Sequence, residues 1–205
     1  MRNPENAIMS EQILVIKTSE LGGLHVKGGF SHDTSVLFDI PGKPLFMDRA
    51  AAENDENFKQ IIPYSILTFQ GTYFFYRRTK AVSEKRLSMN YSLGVGGHIN
   101  PEDGMSDPLD FFNIIECARE REIVEEFNCR LKPGVKLTGL INDNTSAVSR
   151  VHLGIVFEYE LFDNTVTPRE TLNFESLGFA GIEELRRSQD GFENWSQILI
   201  SEYLS

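Results

Sequence analysis

The chain has 205 residues and an excess of acids, 30 Asp and Glu against 20 Lys and Arg, for a formal charge of −10. That balance argues against a sequence-independent grip on nucleic acid, which needs a dense basic surface, but leaves room for a small phosphorylated substrate held by a local basic site and a metal. The length suits one domain of ordinary size, or a core with an extension, and needs no covalent staples.

Two cysteines, Cys117 and Cys129, form neither a Cys-x-x-Cys pair nor a zinc spacing, and read as small apolar packing residues in a reducing compartment. The first residues lack the apolar centre of a signal peptide, and no stretch approaches the roughly 18 apolar residues of a membrane span. A soluble cytoplasmic protein, not bound to a membrane, is the expectation.

In chain order, Ile13 to Lys17 reads as a short strand. Gly22-Gly23, Gly28-Gly29 and Pro41-Gly42 then mark turns between extended pieces such as Ser35 to Phe38. Met47 to Lys59 is read as a helix. Tyr64 to Phe69 and Tyr73 to Arg77 follow as strands, joined at Gln70-Gly71 in the manner of a hairpin. The second runs into the one local basic cluster, residues 77–86, where Arg77 and Arg78 are candidates for bidentate contact with substrate phosphates. Ser92-Leu-Gly-Val-Gly-Gly-His98 is neither a Walker loop nor a dinucleotide fingerprint, yet its glycines let backbone approach a ligand.

The helical run from Cys117 to Cys129 comes next. A helix turns once in 3.6 residues, so Glu122, Glu125 and Glu126 share about a third of its circumference. Like charges so placed each cost roughly 0.2–0.5 kcal/mol, offset in part by pairing Arg119 with Glu122 and Arg121 with Glu125. A divalent cation would offset them better, and hard oxygen ligands suit Mg²⁺ or Mn²⁺. A solvated helix face laced with ion pairs is the competing reading of these residues alone. Beyond the helix, Val135 to Ile141 and Val151 to Leu161 read as strands, with His152 a satisfied strand residue. Thr165 to Ser176 reads as a loop, residues 177–186 as a strand and a helix, and Phe192 to Leu204 as a helix anchored in the core by Trp195.

Arg121-Glu-Ile-Val-Glu-Glu126, preceded by Gly96-Gly97, resembles the box of the Nudix hydrolase family, Gly-x5-Glu-x7-Arg-Glu-U-x-Glu-Glu-x-Gly-U with U apolar. Counting back from Arg121 puts Asn113 where the first box glutamate belongs. About ten extra residues are therefore read as an insertion spanning 98–112, with Glu102 or Asp103 standing in for that acid. Asn128 replaces the last box glycine, a residue type that tolerates the left-handed turn closing many helices.

The resemblance implies an α/β/α sandwich around a mixed sheet over residues 61–205, with residues 1–60 as an N-terminal extension packed on it. It implies metal ligation by Glu122, Glu125, Glu126 and the Gly96 carbonyl. A further acid, Glu175 or in reserve Glu170, is expected as ligand or general base. The implied activity is Mg²⁺- or Mn²⁺-dependent hydrolysis of a pyrophosphate bond in a nucleoside diphosphate linked to another moiety, with a homodimer as a common family arrangement. A catalytically silent nucleotide sensor is the alternative. An isomerase of the same fold would need an active-site cysteine outside the helix, and neither Cys117 nor Cys129 is so placed.

Overall fold

Strand β4 (Phe58–Phe69) is buried along nearly its whole length, as a strand covered on both faces must be. The structure, a computed structural model, describes residues 10–25, 27–38, 45–78, 90–104, 110–169 and 174–204. β4 lies parallel to β10 (His152–Leu161) and antiparallel to β5 (Thr72–Arg78). From these the sheet continues through β9 (Leu131–Asn142) to β2 (Gly29–Ser31) on one side, and to β12 (Phe174–Ala180) on the other. Strands β1 (Gln12–Lys17), β3 (Leu45–Asp48), β6 (Tyr91–Ser92) and β7 (Gly94–Gly96) complete a mixed sheet of ten strands. The β4–β5 turn has positive φ at both Gln70 (48°) and Gly71 (77°), the geometry whose twist matches that of a hairpin.

Helix α2 (Phe111–Glu126) covers one face of the sheet. Its Ile114, Ile115, Ala118 and Ile123 pack with Phe74, Tyr76, Ile155 and Leu153. Each fully buried side chain of this size contributes roughly 1.5–3 kcal/mol. The Asp110 carboxylate caps the helix by accepting from the Phe112 and Asn113 amides, a contact that stabilises by about 1 kcal/mol. The opposite face carries α3 (Ile182–Arg187) and α4 (Asn194–Ile198), the latter continued as a π turn to Tyr203. Trp195 lies edge-on to Tyr64 and against Gly154, so that a helix lies on each face of the sheet in the expected sandwich.

Several local expectations are corrected. Met47–Lys59 is not a helix: β3 ends at Asp48, α1 (Arg49–Ala52) makes one turn, and β4 begins at Phe58. Ser35–Leu37 is a 3-10 turn rather than an extended piece. α2 ends on an extended Phe127 and runs straight into β8 (Phe127–Asn128), so Asn128 closes no left-handed turn. β8 pairs with β11 (Thr167–Pro168), which interrupts the expected loop, and β12 already contains Glu175. The strands of the first third belong to the main sheet, β1 bonding to β4 and β2 to β9.

Candidate active site

Arg121 joins the two halves of the glycine-and-helix motif. Its guanidinium grips Asp103 with two parallel bonds, Nε to Oδ1 at 2.8 Å and Nη2 to Oδ2 at 2.9 Å. Nη2 also donates to the His98 carbonyl at 2.9 Å, and Nη1 reaches Glu122 at 2.7 Å and Glu125 at 3.2 Å. The Asp103 side chain is only 5% exposed, in a 3-10 turn over Pro101–Gly104, and its second oxygen also accepts the Asn100 amide. The hydrogen bonds that Arg121 donates to Asp103 hold its pKa above its ordinary value. Such bidentate, charge-assisted pairs are strong and fix orientation as well as distance.

Of the three residues considered for the box's first acid, Asp103 is the one that meets the arginine. Glu102 is exposed, and Asn113 sits in the first turn of α2, eight residues or about 12 Å along the helix from Arg121. The signal was in the spacing: residues 98–102 fill the interval from Gly97 to Asp103, as many as the pattern asks. Residues 104–120 then separate Asp103 from Arg121, about ten more than the pattern asks.

Glu122 packs against the glycine pair so closely that a Cβ on Gly97 would collide with its carboxylate. Its side chain is 14% exposed, and burial raises its pKa against the opposing pull of Arg121. Glu125, one turn on, is 59% exposed, and Glu126 is half-buried. Gly96 ends β7 opposite Tyr64, where a Cβ would press on the Pro63 carbonyl.

Among the described residues, no three His, Cys, Asp or Glu side chains already stand as a cation-binding group. The donor set nevertheless fits a hard cation: three carboxylates on one helix face, beside a glycine cradle whose backbone they can approach, with no thiolate or imidazole among them.

The other expected residues lie elsewhere. Arg77 lies over the Tyr91 ring, 6.0 Å from its centroid. Tyr91 packs with Phe75 and Phe192 beneath the C-terminal helices, whereas Tyr76 faces Phe127 on the α2 side. Arg77 and the α2 carboxylates are thus on opposite faces of the sheet. Glu175 pairs in register with Arg77 across β12 and β5, and Arg78 ends β5 opposite Phe174. Glu170 lies outside the described residues. His152 donates from Nδ1 to the Val148 carbonyl at 2.7 Å, as a satisfied strand histidine should. His98 bonds Gln60 at 2.8 Å, and burial lowers its pKa to about 4.

One network carried no sequence signal. The buried Tyr64 hydroxyl accepts the Gly94 amide at 3.0 Å and donates to Glu193 at 2.7 Å, with Ser196 at 2.9 Å. It ties the strand leading into the glycine pair to the cap of α4.

No family model matches the chain. Protein YmaB of Bacillus subtilis (strain 168) is 30% identical over 202 residues, spanning 94% of this chain and 97% of that protein. Among solved structures, Tm1382, a protein assigned to the Nudix hydrolases, is 31% identical with a TM-score of 0.76, over 95% of this chain and 98% of that one. DR0079 from Deinococcus radiodurans shares the fold at 18% identity and a TM-score of 0.53, over 76% of this chain and 89% of that one. No helix among the described residues is long and apolar enough to cross a membrane.

Proposed function

The chain belongs to the Nudix hydrolase family, and from that premise we propose that it hydrolyses a pyrophosphate bond in a nucleoside diphosphate linked to another moiety. Mg²⁺ or Mn²⁺ would be held by Glu122, Glu125, Glu126 and the Gly96 carbonyl. The observation that carries this reading is the Asp103–Arg121–Glu122 chain of ion pairs, which supports Glu122 against Gly97 with its carboxylate already oriented. A silent domain would have no need to retain that arrangement together with two further acids on the same helix face.

In this reading Arg121 fixes the rotamer of Glu122, and Glu125 presents an exposed carboxylate within the same turn. A bound cation would draw in phosphate oxygens and neutralise the charge that develops on them. Glu126, half-buried on the same helix, would take the proton of the attacking water. Arg78, which ends β5 next to Arg77, would contact the remainder of the substrate.

The test is phosphate and nucleotide release from nucleoside triphosphates, dinucleoside polyphosphates, ADP-ribose, NADH and nucleotide sugars with each metal, comparing wild type with Glu125→Gln. The expected result is metal-dependent turnover on at least one substrate, reduced about a hundredfold or more by the substitution. Nucleotide binding by calorimetry without turnover on any of them would overturn the hydrolase reading in favour of a sensor.

A further inference from the structure

A cavity of about 410 Å³ opens on the flank of α2 away from Glu125. Ile123 and Phe127, two residues to either side of Glu125, project from the far side of the helix and form its closed floor, each 1% exposed, while Val124 and Leu131 present apolar surface to it. Its outer wall is the segment that reaches β11, fixed by the Thr167–Asn128 pairing and by the Arg169 amide donating to the Glu126 carbonyl at 2.9 Å.

Two guanidiniums stand at this cavity, and they differ. Arg130 is occupied, paired with Asp163 at 3.2 Å and lying over the Phe162 ring. The exposed Arg169 side chain makes no hydrogen bond or ion pair among the described residues. Cys129 lines the same space, and burial holds its thiol neutral at ordinary pH, so it adds apolar surface rather than charge. A recess of this size, apolar on one side, edged by Asn128, Thr165 and Thr167, with its Asp163 carboxylate already paired to Arg130 and one cation left to a ligand, has the makeup of a small-molecule site.

We propose that this cavity binds a small molecule with an apolar body and an anionic head, the body resting on Val124, Cys129 and Leu131 and the head paired with Arg169. A planar guanidinium with free donors suits a carboxylate or a phosphate in the same bidentate way. The site is separate from the Arg121 cluster and does not depend on the reaction performed there.

Naphthoate and naphthyl phosphate are suitable probes, with uncharged naphthamide as control, titrated by calorimetry into the full chain in the presence of a chelator. At least one anion is expected to bind about tenfold more tightly than naphthamide, because a hydrogen-bonded charge pair is worth about that factor. Arg169→Gln should remove this advantage, whereas Arg130→Gln should change affinity by less than about threefold. Cys129→Phe, which fills the recess, should abolish binding of all three, with circular dichroism confirming the fold of each variant. No binding by either anion, equal binding of anion and amide, or undiminished binding to Arg169→Gln would each overturn the proposal.

Discussion

Asp103 and Arg121 are eighteen positions apart in sequence, yet they meet in a two-bond ion pair with the carboxylate almost completely buried. Because Arg121 also holds Glu122 and Glu125, this pair sets the position of two of the three carboxylates on the helix face.

Asp103→Asn keeps the shape but removes the charge and turns an N–H₂ toward one guanidinium nitrogen. It is expected to cost about 1.5–3 kcal/mol, the range for hydrogen bonds to charged groups, read from urea unfolding midpoints. Asp103→Glu, which installs the acid of the box pattern, should stay within about 1 kcal/mol of wild type. If Asn and Glu prove equally harmless, the pair does not hold the turn to the helix.

How far the sequence could be read follows from which interactions are local. The β4–β5 hairpin, β10 and the box helix were legible because periodicity and turn chemistry are written within a dozen residues. The partner of Arg121 was not settled, because it depends on how residues 98–104 fold back onto a helix that begins seven residues later. Met47–Lys59 failed for a related reason. Lys59 and Gln60 look like solvent-facing polar residues, yet they are 1% and 0% exposed, since the Lys59 ammonium finds the Arg150 and His152 carbonyls and Gln60 finds His98. Those partners come from strands and loops remote in sequence, and they allow a polar pair to start a central strand. The Tyr64 network was invisible for the same reason.

The two glycines of the motif should respond differently to a methyl group. At Gly97 the Cβ meets the carboxylate end of Glu122, which can swing away. Gly97→Ala is therefore expected to cost less than about 1 kcal/mol in stability while lowering turnover by about tenfold or more, since small displacements of a positioned group are costly to rate. At Gly96 the Cβ meets the Pro63 carbonyl, which is backbone in the central strand. Gly96→Ala should lose about 1–3 kcal/mol by overpacking. Thermal unfolding and turnover measured on the same preparations separate the two effects, and equal stability losses would refute the distinction.

Lys59 gives a pH dependence whose sign can be worked out. Burial lowers its folded-state pKa from 10.5 to about 8, against the raising influence of Asp143 and Glu56. Between about pH 8 and 10.5 the unfolded chain therefore holds the proton more tightly than the folded one, and stability rises with pH across that window. Below about pH 8 the cost of the buried charge is fully present. Relative to Lys59→Met, in which nothing titrates at this position, wild type should gain up to about 3 kcal/mol on going from pH 7.5 to 10.5. Other groups titrating in this range are shared by both proteins and cancel in the difference. A pH-independent difference would mean that the ammonium is not destabilised by its burial.

Tyr64 tests whether the C-terminal helix holds the strand that leads to the glycine pair. Its hydroxyl is the partner of the Gly94 amide and one of the donors to Glu193, and Tyr64 is 6% exposed. Tyr64→Phe leaves a buried amide without its acceptor and a part-buried carboxylate with one donor fewer, although Ser196 still donates to Glu193. A loss of about 2–3 kcal/mol is expected, because stranded buried groups cost more than the bond itself contributes. Tyr203, whose hydroxyl donates to Glu158 from a half-buried position that water can reach, supplies the comparison. Tyr203→Phe should cost less than about 1 kcal/mol in the same urea titration. If the two substitutions proved equally mild, the Tyr64 bonds would be incidental to packing, and the glycine pair would be positioned by the sheet ladder and Glu122 alone.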